Sequence, residues 1–468
     1  MGKLRFLLAL WAGKAAIFGL QLLKRNATHY PGVIAAKICP DFLKRLQKPQ
    51  TIIGVTGTNG KTTVANLVTD ILTHQGQKVL SNRLGGNILG GITTVLIRGV
   101  SLFGKAKYPM AVLEMDERSS RLVLPYVQPD YLVCTNLFRD SFKRNAQSEY
   151  IQNILRNGIP EKTTLILNGD DLIACGLKKE NECFYFGVAP LTGERQIHDN
   201  IIKDVVTCPV CDHTLVYDFC RYNHVGQVHC PNCNLTSPAR DVQTLGVDKE
   251  NNTMTVQIGN DVHAFPLPGE NITDIYNTTA AIALLTRLGQ APQTIADSLQ
   301  VCGIVKSRFD SVQVGEKQVI MNLAKGQNPI ACSRVFDFIR STEGKKAVLI
   351  LVDDMGDAAH SSENIAWIHE ADFEFLNTED ICQIVVGGVR SQDFKVRLLL
   401  AGVDESKIHI FPKEVESADL VNFEEVEKIF ILYDVYTIHL ANGAKARLLN
   451  RMEGVQNGEN WNFISWIL

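Results

Sequence analysis

The sequence has almost no net charge, −3 over 468 residues with histidine neutral, so nothing electrostatic recruits nucleic acid. It has no internal repeat and no low-complexity tract, which leaves out solenoids and disordered linkers. No small-residue cleavage site follows its apolar N-terminal stretch, so a secretory leader is not expected. That stretch, Phe6 to Leu23, also falls short of a clean membrane span, because Lys14 interrupts its middle and Gln21 its end. It reads as an amphipathic or packed helix, with a membrane-surface anchor or a true span as the alternatives. Lys3, Arg5, Lys14, Lys24 and Arg25 suit an anionic membrane surface and a plain solvated face equally.

What is present is an ordinary globular composition, 45% hydrophobic and 21% charged, in a chain too long for one core. Of its 12 cysteines, four sit in two close pairs. The others are scattered singly, in surroundings such as Leu132-Val133-Cys134 where cysteine acts as a small hydrophobe. That usage fits a reducing, cytoplasmic compartment.

Ile52 to Val55 is a β-branched run that ends in glycine-rich sequence, and Thr62 to Thr73 follows with helical periodicity. Further buried strands are predicted over 110–113, 131–134 and 164–167, with helical stretches such as 149–156 between them. The alternation predicts a doubly wound α/β domain with a parallel-rich sheet and its ligand site at the carboxyl ends of the strands. A cysteine- and histidine-rich insert breaks the pattern at about 205–238. A strand over 254–258 and a helix over 276–288 follow it. A second alternating region has strands over 319–323, 347–352, 381–386 and 428–432. Three parts are therefore expected: an N-terminal helical segment, 1–46; a first α/β domain, 47–303, to which the glycine-rich turn below assigns ATP binding; and a C-terminal α/β domain, 304–468.

The glycine-rich turn reads Gly54-Val55-Thr56-Gly57-Thr58-Asn59-Gly60-Lys61-Thr62-Thr63. The strict P-loop pattern wants glycine where Val55 stands, but Gly57-x-x-Gly60-Lys61-Thr62 keeps the physical essentials. Glycines let backbone N–H groups approach phosphate oxygens, and the helix N-terminus adds favourable partial charge. Lys61 reaches toward β- and γ-phosphates, and the Thr62 hydroxyl suits Mg²⁺. Gly57, Thr58, Asn59, Gly60, Lys61, Thr62 and Thr63 are the expected ATP-binding residues. Inside the insert, Cys208-Pro209-Val210-Cys211 and Cys230-Pro231-Asn232-Cys233 form two C-x-x-C pairs spaced as in a zinc ribbon. Zn²⁺ is the expected ion, with a disulfide pair or an iron–sulfur site as alternatives. Four thiolates leave no open position, so the metal is expected to be structural. His213, His224 and His229 are expected on the ribbon surface or around the ligands.

The stretch Thr56-Gly57-Thr58-Asn59-Gly60-Lys61-Thr62 resembles the nucleotide loop of the Mur ligase family. Glu114-Met115-Asp116-Glu117 resembles its acidic Mg²⁺-binding segment, and Thr135-Asn136-Leu137-Phe138-Arg139-Asp140 its Thr-Asn loop. Asn277 with Ala280-Ala281 resembles its asparagine helix. A Mur-type domain interrupted by a four-cysteine ribbon is similar to the MurT subfamily, firmly over residues 50–240 and loosely over the last third.

That resemblance implies an ATP-dependent carbon–nitrogen ligase that activates the D-glutamate α-carboxylate of the lipid II stem peptide as an acyl phosphate. Ammonia from a GatD-like glutaminase partner would then give D-isoglutamine, in peptidoglycan synthesis. It implies phosphate binding by Lys61, Mg²⁺ ligation by Thr62 and Glu114 with Glu117 second, and nucleotide contacts from Asn277 and Arg308. Lys325, in Leu323-Ala324-Lys325-Gly326-Gln327-Asn328-Pro329, resembles a lysine that precedes Asn-Pro in that subfamily, although Gly326 and Gln327 intervene here. Lys143 stands where the subfamily carries an acid. If Trp367 anchors the C-terminal catalytic segment, Asn364 occupies the position of its aspartate, and an amide cannot serve as a base. Asp353, Asp354 and Asp357 are the replacements within reach in sequence. A nucleotide-binding regulatory paralogue and another Mur-type amide ligase, such as one like folylpolyglutamate synthetase, are the competing readings. Cys302 and Cys332 lack a nucleophile-elbow context, so any glutamine hydrolysis belongs to another chain.

Overall fold

Proline at a helix start, β-branched runs and glycine turns divide the chain much as the sequence predicts. The computed structural model describes residues 2–139, 147–267, 269, 271–302, 309–324, 326, 328–352, 365–434 and 436–456. These group into two units, the first holding residues 1–138, 147–198 and 204–305, the second 139–146, 199–203 and 306–468.

In the first unit, helices α1 (Gly2–Leu22), α2 (Tyr30–Ile38) and α3 (Phe42–Arg45) lead into the sheet. Pro31 sits in the first turn of α2, where its missing N–H costs no helical bond. Then come β1 (Thr51–Thr56), α4 (Lys61–His74), β2 (Val79–Ser81), α5 (Leu89–Arg98), β3 (Met110–Glu114), α6 (Ser120–Val127) and β4 (Tyr131–Cys134). After them follow α7 (Ser148–Gly158), β5 (Thr164–Asn168), α8 (Leu172–Cys175) and β6 (Cys183–Val188). The insert contributes a separate hairpin, β7 (Val216–Tyr222) and β8 (Val225–His229). Strands β9 (Val242–Asp248), β10 (Thr253–Ile258) and β11 (Asp261–Pro266) form an antiparallel meander, and α9 (Ile272–Arg287) and α10 (Pro292–Cys302) complete the unit.

The main sheet has the order β11-β10-β9-β6-β5-β4-β1-β3-β2, parallel except for the β9–β11 edge. Strand β1 lies between β3 and β4, so the winding reverses there. That switch point is where an open parallel sheet leaves a crevice for ligand. The central strands β1, β4 and β5 are buried along almost their whole length, as strands covered on both faces require.

Helix α1 packs Phe6, Ala9, Leu10, Gly13 and Ile17 inward, against α2 and α5. Gly13 permits the close approach: a Cβ there would lie 2.8 Å from Ile97 Cδ1. Lys14, which interrupts the apolar stretch, donates to the carbonyls of Ile97 and Val100, both at 2.8 Å. It thus satisfies carbonyls at the end of α5 that have no partner within that helix.

The second unit contains β12 (Phe309–Val314), β13 (Lys317–Leu323), α11 (Pro329–Ser341), β14 (Lys346–Leu351), β15 (Ile381–Gly387), α12 (Ser391–Leu400), β16 (Ile408–Phe411), β17 (Lys428–Tyr433) and α13 (Ile438–Gln456). Its sheet order is β12-β13-β17-β14-β15-β16, parallel except for the β12–β13 hairpin at one edge. The Asn328-Pro329 pair is the start signal of α11: the Asn328 side chain accepts from Ala331 N at 2.9 Å and Pro329 opens the helix.

Candidate nucleotide site and metal ribbon

Four adjacent parallel strands of the first unit, β5, β4, β1 and β3, each release a loop at the carboxyl end. The loop after β1 turns on Gly57 (φ +128°) and Gly60 (φ +85°), in backbone regions that side chains rarely adopt. Space decides the matter independently, since a Cβ would come within 2.2 Å of Thr135 Oγ1 at Gly57 and of Asn277 Oδ1 at Gly60. Gly60 caps α4 without any side-chain bond, and no acidic residue occupies the first turn. The helix therefore keeps the donors and partial positive charge that an anion takes up.

Lys61 begins α4 and sets its ammonium between the Gly57 and Thr58 carbonyls and Glu117 Oε1, the last at 3.0 Å. Burial pulls the Lys61 ammonium down, but the Glu117, Glu114 and Asp116 carboxylates more than offset it and hold the group above the ordinary lysine range. Burial pushes the Glu117 carboxyl up, with Lys61 pulling it back. The next residue, Thr62, donates its Oγ1 proton to Glu114 Oε2 at 2.8 Å, and Asn87 Nδ2 donates to Glu114 Oε1 at 2.9 Å. Asn82 clamps the Glu114 backbone, accepting from its N–H and donating to its carbonyl, both at 2.9 Å. The two acids flagged in the sequence are thus divided: Glu114 faces the hydroxyl and Glu117 faces the ammonium. A hydroxyl beside a carboxylate, next to a lysine and an uncapped helix start, fits Mg²⁺ with a polyphosphate. Replacing Glu114 by Gln should raise the Mg²⁺ concentration for half-maximal activity by at least about tenfold, measured by titration at saturating ATP.

The Thr135-Asn136 segment laces the phosphate loop from the side. Thr135 Oγ1 donates to Asn59 O at 2.6 Å, and Asn136 Oδ1 accepts from Asn59 N at 2.9 Å. Thr58 N donates to Asn136 O at 2.8 Å, and Phe138 N donates to Thr58 Oγ1 at 2.9 Å. Asn277, buried on α9, lies against Gly60. Arg308, Lys325, Asp353, Asp354, Asp357 and Asn364 lie outside the described residues, as does Lys143. Arg139 pairs with Glu370 at 2.9 Å. In the second unit, sequence reasoning passed over Asp434, a mostly buried carboxylate at the end of β17 that accepts from Tyr436 N at 3.0 Å.

Cys208, Cys211, Cys230 and Cys233 bring their sulfurs within 4.8 Å of one another. The nearest pairs, 3.4 Å for Cys211–Cys230 and 3.6 Å for Cys208–Cys233, are too far apart for disulfides. They approach the separation of about 3.8 Å that a tetrahedral Zn²⁺ with thiolates near 2.3 Å imposes. The backbone N–H of His213 pulls the Cys211 thiol down to about 6. At Cys233 the pull of the Leu235 N–H is outweighed by desolvation and the neighbouring cysteines, which push that thiol up to about 12, so the cluster loses its first proton at Cys211. His213 is exposed and His229 half-buried, both within the expected ribbon surroundings.

His224 departs from the expectation of a ribbon-surface position. It sits at the hairpin tip, fully buried, with Nε2 3.0 Å from Asp171 Oδ1 and its ring against Phe138. Asp171 follows β5. Its Oδ1 also accepts from Ile173 N and Ala174 N, and its Oδ2 from Leu137 N at 2.6 Å. The neighbouring Asp170 accepts from Arg240 Nε at 2.9 Å, Tyr276 Oη at 2.7 Å and Val188 N at 2.8 Å. These two aspartates tie the ribbon tip to the Thr-Asn loop and to α9. The signal in the sequence was Asn168-Gly169-Asp170-Asp171, an acidic turn directly after a buried strand.

A P-loop at the switch point, an acidic segment after β3 and an asparagine helix over the loop define a Mur ligase-type enzyme. The Mur ligase middle domain family matches residues 55–207, and the MurT ligase C-terminal family matches residues 325–438. The chain is 31% identical over 412 residues to the lipid II isoglutaminyl synthase (glutamine-hydrolyzing) subunit MurT of Streptococcus pneumoniae, covering 87% of this chain and 89% of that one. It is 29% identical to the Staphylococcus aureus MurT, covering 85% and 88%. A pseudomurein peptide ligase type C from Methanothermus fervidus shares the fold with a TM-score of 0.66 at 16% identity, covering 88% and 81%. The chain belongs to the MurT family.

Proposed function

We propose that this chain is the synthetase subunit of a lipid II-amidating enzyme, converting the α-carboxylate of the stem-peptide D-glutamate to D-isoglutamine. The γ-phosphoryl of ATP passes to a carboxylate oxygen, leaving ADP and an acyl phosphate. Ammonia then adds to the carbonyl carbon, phosphate leaves with the C–O bond, and the nitrogen loses a proton to give the amide. The observation that carries this reading is the pairing of Lys61 with Glu117 and of Thr62 with Glu114, the start of α4 against the end of β3 and the loop after it, in a chain so similar to the MurT subunits along most of its length.

In this assignment Lys61 and the Gly57–Thr63 backbone hold the phosphates, Thr62 and Glu114 hold Mg²⁺, and Asn277 faces the nucleotide. Bound Mg²⁺ would offset phosphate charge during transfer. The four thiolates hold Zn²⁺. Ammonia is mostly protonated at neutral pH, so a GatD-like glutaminase in a heterodimer delivers the neutral nucleophile where the short-lived acyl phosphate forms. The enzyme works in the cytoplasm, at the inner face of the membrane that carries its lipid-linked precursor.

The test is amidation of lipid II by the purified chain with ATP, Mg²⁺ and ammonium salt, with and without GatD, read by mass spectrometry. Conversion of carboxylic acid to amide with matching ADP release is the expected result. Tight ATP binding with no product under either condition would overturn it in favour of a nucleotide-binding regulatory subunit.

A further inference from the structure

Helix α1 buries one face, and the opposite face is also apolar. Leu4, Leu8, Trp11, Phe18 and Leu22 recur at spacings of three, four or seven residues and form one exposed stripe along the helix. Phe18 is 63% exposed and Leu22 69%. A second element widens the stripe. The turn between α5 and β3 presents Phe103, 74% exposed, and is held to the helix by Trp11 Nε1 donating to Leu102 O at 2.9 Å. Gly104, in the same turn, lies against the Phe6 ring. Exposing side chains this apolar to water costs free energy, and a patch drawn from two elements is more than scattered surface leucines.

The charge around the patch is mostly basic, and Asp41, near the start of α1, is paired with Arg45. Residues 1–40 contain no aspartate or glutamate, while Lys3, Arg5, Lys24 and Arg25 are exposed beside the helix. Lys105 and Lys107 are exposed on the turn that carries Phe103. A second copy of the chain would oppose basic flank to basic flank, and the turn makes the patch broader than a two-helix seam. A membrane-crossing helix is excluded by the other face, which is already packed on α2 and α5.

We propose that the outer face of α1, together with the 101–107 turn, docks on the surface of an anionic lipid bilayer. Apolar side chains enter the acyl boundary and the flanking lysines and arginines meet headgroup phosphates. The inference deepens the proposed function, on which its biological sense rests, by giving the enzyme a seat beside a lipid-linked substrate.

Deleting α1 would strip cover from α2 and α5, so substitutions on the exposed face are the cleaner probe. The full chain should co-sediment with phosphatidylglycerol-containing vesicles and bind phosphatidylcholine vesicles at least about tenfold less, with binding weakened by salt. The pair Phe18→Gln and Phe103→Ser should cut vesicle binding by about tenfold or more, since each removes a buried-on-binding ring. Amidation of a lipid-free stem-peptide precursor should be unchanged by the pair, which separates this inference from the proposed activity. Equal binding to both vesicle types, no binding to either, or an unaltered Phe18/Phe103 variant would overturn it. So would a dimer in solution that the same pair converts to monomer.

Discussion

Lys61→Ala will reduce ATP-dependent product formation by about three orders of magnitude, the loss typical when a fixed positive charge is removed from a phosphoryl-transfer site. The structure adds a consequence that the motif does not carry. Lys61 is the ion-pair partner of Glu117, whose side chain is 6% exposed. Removing the lysine leaves that carboxylate buried alone, at a cost of about 3–5 kcal/mol, or its proton stays on and a polar hydroxyl must find a partner. A low activity in Lys61→Ala could then reflect an unstable loop rather than a missing phosphate contact. The double variant Lys61→Ala/Glu117→Gln distinguishes the two, because an amide has no charge to desolvate. Thermal unfolding of the double variant should return most of the way to the parent, while amidation stays about a thousandfold down. Recovery of activity along with stability would assign Lys61 a structural role only. Activity within tenfold of the parent in the single variant would remove it from the site altogether.

The phosphate loop was legible because its constraint is local: strand, glycine turn and helix are contiguous, and each has a composition cue. The four thiolates were legible for the same reason. The buried strands β1, β3, β4 and β5 showed because their short apolar runs, covered on both faces, carry almost no polar interruption. Strand β2 did not, being three residues long, and β9 and β11 did not, because a half-exposed edge meander mixes polar and apolar positions. Lys14 misleads in a sequence, where it reads as an obstacle in an apolar run. In the fold it is a donor to the end of a helix more than eighty residues away. The Asp170–Asp171 hub was invisible for a related reason. Its partners, Leu137, His224, Arg240 and Tyr276, are spread over 140 residues of chain and meet only because β5 sits beside β4 and the ribbon tip folds back. A single histidine in a ribbon gives no hint of a carboxylate fifty residues earlier.

Removing the metal proposed for the four-cysteine cluster should therefore weaken nucleotide binding, although none of the four cysteines belongs to the glycine loop. A two-stranded hairpin is marginal by itself in water, and the small cluster under this one is built around Cys208, Leu215, Val228 and Cys230, two of which belong to the four-cysteine group that could hold a metal. Without the ion the knuckles have little to close on, because binding energy of a structural metal is folding energy. The hairpin then frays, and its tip withdraws His224 from Asp171. That carboxylate is fully buried and also holds Leu137 N, so losing one of its donors loosens the segment whose Thr135 and Asn136 fix Asn59. The expected results for the Cys208→Ser/Cys211→Ser variant are loss of the zinc proposed for the ribbon, by metal analysis, a fall in Tm of about 10 °C, and nucleotide affinity down by roughly tenfold, a loss of about 1.4 kcal/mol. His224→Gln provides the dissection. It should keep its zinc, by metal analysis, and still lose a good part of the nucleotide affinity, because the ribbon remains folded while the link to Asp171 is impaired. Full affinity in both variants would confine the ribbon to holding itself together. Loss in the cysteine variant alone would place the coupling elsewhere in the insert, at Arg221 on β7, which donates to Tyr276 Oη at 2.6 Å one residue before Asn277.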